Sequence, residues 1–549
     1  MNNKLIEFIQ EDLKLYNELK SLAFSAFKKG NYESTLKYIY YAASYAWVVH
    51  FGLWCDDDLE NLLVKIGKYM KKKLISQAKK NNGKKDYKVA YLASILRDVG
   101  GHNILLKHWI NILSERYKDQ DLYISKSDGN PLYYPNLKKS LIKKGVKIFE
   151  LKSNLSFLER IKNLINLIEF NSPDVLILFT HANDVTIIPA LTALTKKPYT
   201  IFFNHADHTF WLGKIISDCI IEQRIEGAKF SKKYRRVEVN QYIIPLTSKI
   251  KPIKVSKKKF GIPENSTLSI SVGGIMKVES PSEHNYYKTI ELVLKNFPNH
   301  YHMFVTNYPP KTIPKELVNT SEKIIKRFII NGPFPNLEPI YGMGDFLIDT
   351  FPIGGGMVIA DAMACALPIV AFRSKKFSIV SDGGGELPIN YPFLTYNYND
   401  FVDRIFQLIQ DPQLRKDLGE NLYNHFQQNL SPKIVNKLLF DIIDGNVKSK
   451  DIFNYKTVDL ANFNYDVESG QRAFLTERKN FILIDLRHKA FTFKQRLRFF
   501  KDAQKRHEFT SIKETFAYVI MILFRNYVSI LFKPFYYLQI KKKLLNALN

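Results

Sequence analysis

The sequence of 549 residues contains few cysteines and no signal-peptide pattern. Its three cysteines, Cys55, Cys219 and Cys365, lie far apart and give neither a disulfide framework nor the paired ligands of a zinc site. The first twenty residues mix charged with apolar side chains, so the continuous apolar segment of an export signal is missing. We therefore expect a cytoplasmic protein that holds no metal.

Acidic residues are scarce relative to basic ones. The chain has 53 Asp and Glu against 80 Lys and Arg, which gives a net charge of +27. This excess favours polyanionic partners such as nucleic acid, anionic lipid or phosphorylated substrates, although most surface lysines are simply solvated. Apolar residues make up 46% of the chain and occur along its whole length, which indicates several folded domains.

Residues 1–80 show apolar side chains at the three-to-four spacing of helices and no alternating strand pattern. Residues 30–47 resemble a tetratricopeptide-type helix pair with Gly30 at its turn. A single pair cannot form a solenoid. We interpret this region as a helical cap or a partner-docking module.

From residue 85 the pattern changes to short β-rich runs separated by helical stretches. Runs such as VAYLAS (89–94) and DVLILF (174–179) are continuously apolar, which is typical of strands covered on both faces. A second series of the same kind begins with STLSISVGG (266–274). We therefore predict an α/β fold with two tandem Rossmann-like domains, at residues 85–250 and 251–445.

The α/β alternation stops after residue 445. Residues 487–513 carry nine Lys or Arg against two Asp or Glu, and the apolar run that follows is interrupted by Arg525, Lys533 and Pro534. A membrane-spanning helix needs about 20 continuous apolar residues. We predict that residues 446–549 form a basic amphipathic tail, which attaches the protein peripherally to the anionic inner face of the plasma membrane.

The most informative segment, residues 348–372, has the pattern of a strand, a triple-glycine turn, a helix and another strand. Gly354, Gly355 and Gly356 lack side chains at the helix start, so backbone N–H groups and the positive end of the helix dipole can approach a diphosphate. Asp361 lies less than two turns into this helix. Its carboxylate can accept hydrogen bonds from a ribose diol there.

The helix sequence ADAMACALPIVAF (360–372) resembles the signature of family-4 GT-B glycosyltransferases, Glu-Gly-Phe-Gly followed by Glu-Ala-Met-Ala-Cys-Gly-x-Pro-Val-Val-Ala. Asp361 takes the place of the second glutamate, which implies ribose binding. Ile353 stands where the first glutamate, which contacts the donor sugar, is expected. The preceding Asp-Thr-x-Pro also resembles the O-GlcNAc-transferase group, which inverts. The two resemblances compete, so retention and inversion both remain open.

Glycines and a lysine in other segments follow the order of this family. The resemblance implies that Lys277, after the strand that ends in Gly273 and Gly274, is the cation for the donor diphosphate. A cation and a helix dipole together can hold a diphosphate without a metal. The resemblance also implies that Gly100 and Gly101 bring the first domain's backbone close to the donor phosphate or the acceptor.

Histidines mark the strand ends of the first domain. His102 begins a helix, and because free imidazole titrates near neutrality it is a candidate base for the acceptor. His181 and His205 end two strands, and the resemblance implies that their imidazoles contact the donor sugar or the acceptor. Asp207 and His208 lie beside them, but no ligand spacing supports zinc. His205, His102 and His181 are therefore the candidate catalytic residues.

Taken together, these features predict a glycosyltransferase, most simply a hexosyltransferase, that uses a UDP- or GDP-sugar and no other cofactor. The expected acceptor is a hydroxyl of a cell-surface polysaccharide or glycolipid, and a protein acceptor of the O-GlcNAc-transferase type is the alternative. A basic nucleic-acid-binding protein is the alternative from another class. It leaves the tandem Rossmann series unexplained, and no nucleic-acid-binding motif is evident. A sugar-nucleotide epimerase would not need the basic tail.

Overall fold

In the computed structural model, every described residue belongs to one compact unit that spans residues 1–473. It describes residues 3–48, 51–74, 87–98, 101–125, 134–152, 154–207, 209–279, 282–306, 313–334, 336–373, 386–388 and 390–446. The tail prediction beyond residue 446 and the assignments of Gly100 and His208 lie outside the described residues. No helix in the described part is both long and apolar enough to cross a membrane.

Three helices form the N-terminal region, as the apolar spacing predicts: α1 (Asn3–Lys28), α2 (Tyr32–Val48) and α3 (Asp57–Leu74). The helix pair is α1 with α2, and Gly30 lies in the turn between them with a positive φ of 70°. Glycine adopts such a backbone conformation more readily than residues with a side chain. Buried hydrogen bonds also connect these helices, since the hydroxyl of Tyr45 donates to Asp12 at 2.5 Å.

The first α/β domain contains a parallel sheet of seven described strands in the order β3-β2-β1-β4-β5-β6-β7. The strands are β1 (Val89–Ala93), β2 (Gln120–Ile124), β3 (Lys147–Glu150), β4 (Val175–Phe179), β5 (Tyr199–Asn204), β6 (Cys219–Glu222) and β7 (Asn240–Ile243). The helices between them are α4 (Gly101–Leu113), α5 (Pro135–Ile142), α6 (Phe157–Asn171), α7 (Ile187–Ala193) and α8 (Ile225–Tyr234). Every residue of β1, β2, β4 and β6 is buried, as expected of strands with helices on both faces.

The second α/β domain contains six described parallel strands in the order β10-β9-β8-β11-β12-β13. They are β8 (Thr267–Val272), β9 (His300–Val305), β10 (Phe328–Asn331), β11 (Phe346–Ile348), β12 (Ile369–Phe372) and β13 (Leu394–Thr395). The helices are α9 (Met276–Glu279), α10 (Tyr286–Asn296), α11 (Glu322–Ile325), α12 (Glu338–Met343), α13 (Met357–Ala364), α14 (Tyr398–Gln410), α15 (Pro412–His425) and α16 (Pro432–Ile443). The predicted fold of two tandem Rossmann-like domains is thereby confirmed.

The two domains share one apolar core at their junction. Val435, Leu439 and Ile442 of α16 are buried in the core cluster of the first domain, although α16 follows the second domain in the chain. Ala360 of α13 belongs to the same cluster, and Met357 packs against it. The first turn of α13, which follows the glycine turn, therefore lies against the first domain.

Candidate functional site

The predicted site residues of each domain follow the carboxyl ends of its central strands. In the first sheet β1 pairs with both β2 and β4, and in the second sheet β8 pairs with both β9 and β11. At such a point the chain leaves the sheet in opposite directions on either side, and a crevice opens above the strand ends. Ligands bind in this crevice in open α/β sheets, so the side chains there are the candidate site.

Three imidazoles converge above the first sheet. The ring centroid of His102, in the first turn of α4, lies 4.3 Å from that of His205 after β5 and 6.4 Å from that of His181 after β4. His181 and His205 lie 6.3 Å apart. The fold therefore brings together all three candidate catalytic residues, which are separated by up to about 100 positions in the chain.

The environment of His102 differs from that of a free imidazole. Burial lowers its pKa to about 3, with a further contribution from the charge of His181, and a hydrogen bond to the backbone of Phe179 opposes the shift. Its Nε2 atom is buried and has no hydrogen-bond partner among the described residues. The ring is thus neutral at physiological pH, and Nε2 is the acceptor atom if Nδ1 donates to Phe179. The near-neutral pKa that motivated a base role is not present.

The chain around His181 is fixed by a buried carboxylate. Asp184 accepts hydrogen bonds at 2.6 Å from the hydroxyls of Ser94 and Ser125, which follow β1 and β2. Ser94 in turn accepts from the backbone N–H of His181 at 2.9 Å. One carboxylate thus connects the ends of β1, β2 and β4 and fixes the position of the His181 backbone. Sequence reasoning missed Asp184, although its place as the fifth residue after β4 was a usable signal.

The N-terminal helices reach this cluster. Trp47, near the end of α2, packs edge-on against His181 with ring centroids 5.3 Å apart. The side-chain amide of Asn183 donates to the hydroxyl of Ser44 on the same helix at 2.7 Å. The end of α2 therefore lies beside the imidazoles.

Asp207, by contrast, is part of a buried ion pair. Arg224 donates to its two carboxylate oxygens at 2.6 and 3.0 Å, and the Asp207 residue is only 7% exposed. A Cβ atom added at Gly227 would meet the Asp207 carboxylate at 2.5 Å, so the space around it is filled. This arrangement positions the loop after β5.

In the second domain, the glycine turn and the predicted cation are in direct contact. Lys277, in the short helix after β8, donates from Nζ to the carbonyl of Gly354 at 2.7 Å. Burial lowers the Lys277 pKa, and the nearby Asp349 carboxylate opposes that shift. A Cβ atom at Gly273 would lie 3.1 Å from the Thr350 side chain, so β8 closely approaches the end of β11. The main chain of Gly274 accepts from Lys277 N at 3.0 Å.

Asp361 faces the chain between the domains. The hydroxyl of Ser248 donates to its carboxylate at 2.5 Å, and Ser248 lies in the segment that links β7 to the second domain. Burial raises the Asp361 pKa to about 6, while Ser248 and Tyr341 oppose the shift. The expected ribose ligand is thus largely buried and already has one hydrogen bond to the linker.

The predicted glycines differ in how closely protein atoms surround them. Gly101 is exposed at the start of α4, and a Cβ atom added there would meet nothing within 4 Å, so its backbone is not closely approached by protein atoms. Gly355 and Gly356 are more closely surrounded by protein atoms. An added Cβ atom would lie 3.1 Å from Val358 at Gly355 and 2.8 Å from Leu246 at Gly356. Within the described ranges, no group of three or more His, Cys, Asp or Glu side chains is arranged to hold a metal ion.

No protein-family model and no curated protein matches this chain. Among solved structures, a glycosyltransferase from Rickettsia africae ESF-5 has a TM-score of 0.51 at 13% identity, over 68% of this chain and 100% of its own. HepE from Anabaena, solved with UDP-glucose, has a TM-score of 0.48 at 12% identity, over 66% and 100%. A mutant O-GlcNAc transferase from Thermobaculum terrenum has a TM-score of 0.43 at 11% identity, over 84% of this chain and 81% of its own. The chain is thus similar in fold to GT-B glycosyltransferases.

Proposed function

We propose that this protein is a glycosyltransferase that moves a sugar from a nucleotide-sugar donor to an acceptor hydroxyl. The observation that carries the proposal is the donor-side geometry. The glycine turn precedes helix α13, the ammonium of Lys277 contacts that turn, and the Asp361 carboxylate lies one turn further along. These are the groups that a diphosphate and a ribose require.

The donor diphosphate binds at the first turn of α13. The first N–H groups of a helix have no partner within it, and the helix dipole adds positive potential at that end. Lys277 supplies the full positive charge, and the ammonium exchanges the Gly354 carbonyl for a phosphate oxygen when the donor arrives. Asp361 accepts from the ribose hydroxyls in its ionised form.

The imidazole cluster provides the acceptor side. The acceptor oxygen attacks the anomeric carbon, the bond from that carbon to the diphosphate oxygen breaks, and the electron pair leaves with the nucleoside diphosphate. The proton of the acceptor hydroxyl is released to the leaving diphosphate or to water. The buried Nε2 of His102 accepts a hydrogen bond from a sugar or acceptor hydroxyl and orients it. His205 and His181 contact the reacting groups, and His205 is our candidate for stabilising charge as the bond breaks.

The substrates that we propose follow the sequence expectation. The donor is a UDP- or GDP-hexose, and the acceptor is a growing cell-surface glycan or glycolipid at the membrane. A protein acceptor remains the alternative. No metal takes part, because Lys277 and the helix dipole together offset the diphosphate charge.

A screen of nucleotide sugars tests the proposal. The purified chain is incubated with UDP-, GDP-, ADP-, CMP- and dTDP-sugars, and thermal stabilisation and nucleotide release are measured. Lys277→Ala should weaken binding of the active donor by about 1.5 to 3 kcal/mol, since a charge-assisted contact is lost. Lys326→Ala is the control, because Lys326 pairs with Glu322 and its side chain is 72% exposed. Equal donor affinity in the two variants would show that Lys277 does not bind the donor.

A further inference from the structure

Gly354 lies between three charged side chains. Its carbonyl accepts from Lys277 at 2.7 Å. A Cβ atom built on Gly354 would lie 2.9 Å from the guanidinium of Arg373 and 2.9 Å from the carboxylate of Asp349. Any other residue would therefore collide with the Asp349–Arg373 pair, and the turn must pass directly over these charges.

Asp349 holds the shape of the turn. It follows β11, and its Oδ1 atom accepts hydrogen bonds from the backbone N–H groups of Thr350 and Gly355, both at 2.9 Å. The hydroxyl of Thr350 donates to the carbonyl of Ile353 at 2.8 Å. The carboxylate thus stands in the middle of the loop and fixes both of its ends.

This carboxylate creates an electrostatic problem for an anion-binding turn. A negative charge under the loop repels a diphosphate bound above it. Arg373, which follows β12, donates from Nη2 to Asp349 Oδ2 at 2.9 Å, and the two side chains are 3% and 0% exposed. With Lys277 included, the three side chains leave one net positive charge at the turn.

We propose that Asp349 and Arg373 are positioning residues of the diphosphate site. This inference rests on the function proposed above. Asp349 shapes the glycine turn that leads into α13, where the diphosphate is proposed to bind. Arg373 cancels the Asp349 charge, so that the positive charge of Lys277 acts on the ligand. Neither residue needs to touch the substrate.

Charge variants separate this role from a purely structural one. In Asp349→Asn the amide oxygen takes the place of Oδ1 for Thr350 and Gly355, the NH2 group takes the place of Oδ2 opposite Arg373, and the negative charge is removed. The net charge of the three groups becomes +2. Arg373→Gln leaves the Asp349 charge uncompensated and brings the net charge to zero. The double variant returns it to +1. If the ion pair is purely structural, every variant should bind pyrophosphate more weakly. If its charges matter, Asp349→Asn should bind more tightly and Arg373→Gln more weakly.

The experiment titrates full-length variants with inorganic pyrophosphate, which needs no knowledge of the base, and with the nucleoside diphosphate that stabilises the wild type. At low salt, Asp349→Asn should bind pyrophosphate about tenfold more tightly and Arg373→Gln about tenfold more weakly, because one charge is added or lost within a few ångströms. The double variant should lie within about threefold of the wild type. Affinity for the nucleoside itself should not change.

Arg236→Gln is the matched control, because it breaks an exposed ion pair with Asp57 in another part of the fold. Weaker pyrophosphate binding by Asp349→Asn, or failure of the double variant to recover affinity, overturns the inference while the proposed function stands. If Arg373→Gln does not fold, Asp349→Asn and the double variant still decide. A wild type that binds neither pyrophosphate nor any nucleoside diphosphate overturns the proposed function and this inference with it.

Discussion

At the scale of single residues, burial decides the protonation of several predicted site residues. Burial disfavours the charged form of any side chain, so it raises the pKa of a carboxyl and lowers that of an imidazole or an amine. Asp361 and His102 shift in these opposite directions, to about 6 and about 3. Both residues are closer to their neutral forms than the free amino acids are.

Asp361→Asn should therefore stabilise the fold while it weakens donor binding. The Asp361 pKa is raised in the folded state, so the folded chain holds a proton more tightly than the unfolded chain between about pH 4 and pH 6. The free energy of unfolding thus falls as the pH rises through that window, and the cost remains at higher pH. Removing the carboxyl should recover about 1 to 3 kcal/mol at pH 8.

Urea unfolding of the wild type and of Asp361→Asn at pH 5 and pH 8 measures this effect. The stability gain should be larger at pH 8 than at pH 5, and calorimetric titration at pH 8 should show weaker binding of the active donor. A variant that is less stable than the wild type at both pH values would show that burial of the ionised Asp361 carboxylate does not destabilise the fold.

At the scale of elements, carboxylates of the N-terminal helices cap elements of the first domain. Glu33 of α2 accepts from the first N–H groups of α6, and Glu60 of α3 accepts from the N–H groups of Gly213, Lys214 and Ile215. Such contacts satisfy donors that a helix or turn cannot satisfy by itself. They attach α2 and α3 to the first domain, and the hydrogen bond from Asn183 to Ser44 holds the end of α2, with Trp47, beside His181.

Trp47→Ala should lower sugar transfer without changing donor binding. The edge-on contact with His181 orients that imidazole, and aromatic pairs of this kind contribute about 0.5 to 1.5 kcal/mol, which corresponds to about a twofold to tenfold loss of transfer. Donor affinity should be unchanged, because the residues that we propose for diphosphate binding lie in the second domain.

Trp47→Phe keeps an aromatic ring at this position and is the conservative control. It should retain most of the transfer rate that Trp47→Ala loses. The measurements are initial rates of transfer and of donor hydrolysis, together with donor affinity. Loss of transfer and hydrolysis in equal measure would indicate that Trp47 supports the fold of the region rather than the acceptor side.

At the scale of the whole molecule, the chain crosses between its two domains more than once. The linker passes Ser248 beside Asp361, and α16 returns to bury Leu439 in the first domain's core. Asp444, just after α16, accepts hydrogen bonds from Arg116 and Tyr117 of the first domain. The described chain thus ends on the first domain, and the predicted membrane-binding tail follows from there.

Truncation after Asn446 keeps every described residue and should abolish binding to anionic vesicles. Basic residues near an anionic leaflet contribute about 1 kcal/mol each, so charge should dominate the binding of the full-length chain and high salt should weaken it. Flotation with neutral and anionic liposomes measures both effects. Equal binding to the two kinds of vesicle would show that the electrostatic argument is wrong.

The sequence alone predicted the features that depend on neighbouring residues. Two series of apolar runs gave the two α/β domains, and the glycine turn before α13 was evident because a strand, glycines and a helix follow each other directly. Short strands with polar residues were harder. β2 has the sequence QDLYI, so no apolar run marks this strand. Its buried Asp121 has Lys88 and the hydroxyl of Tyr123 as partners, each at 2.8 Å.

Only the tertiary structure decided the features that depend on distant residues. The approach of His102 to His205 and the pairing of Asp349 with Arg373 arise because parallel strands place their carboxyl ends side by side, whatever their separation in the chain. The low pKa of His102 likewise depends on burial, which no local pattern records. Local sequence determines the elements and the turns, whereas pairing order and packing determine which charges meet.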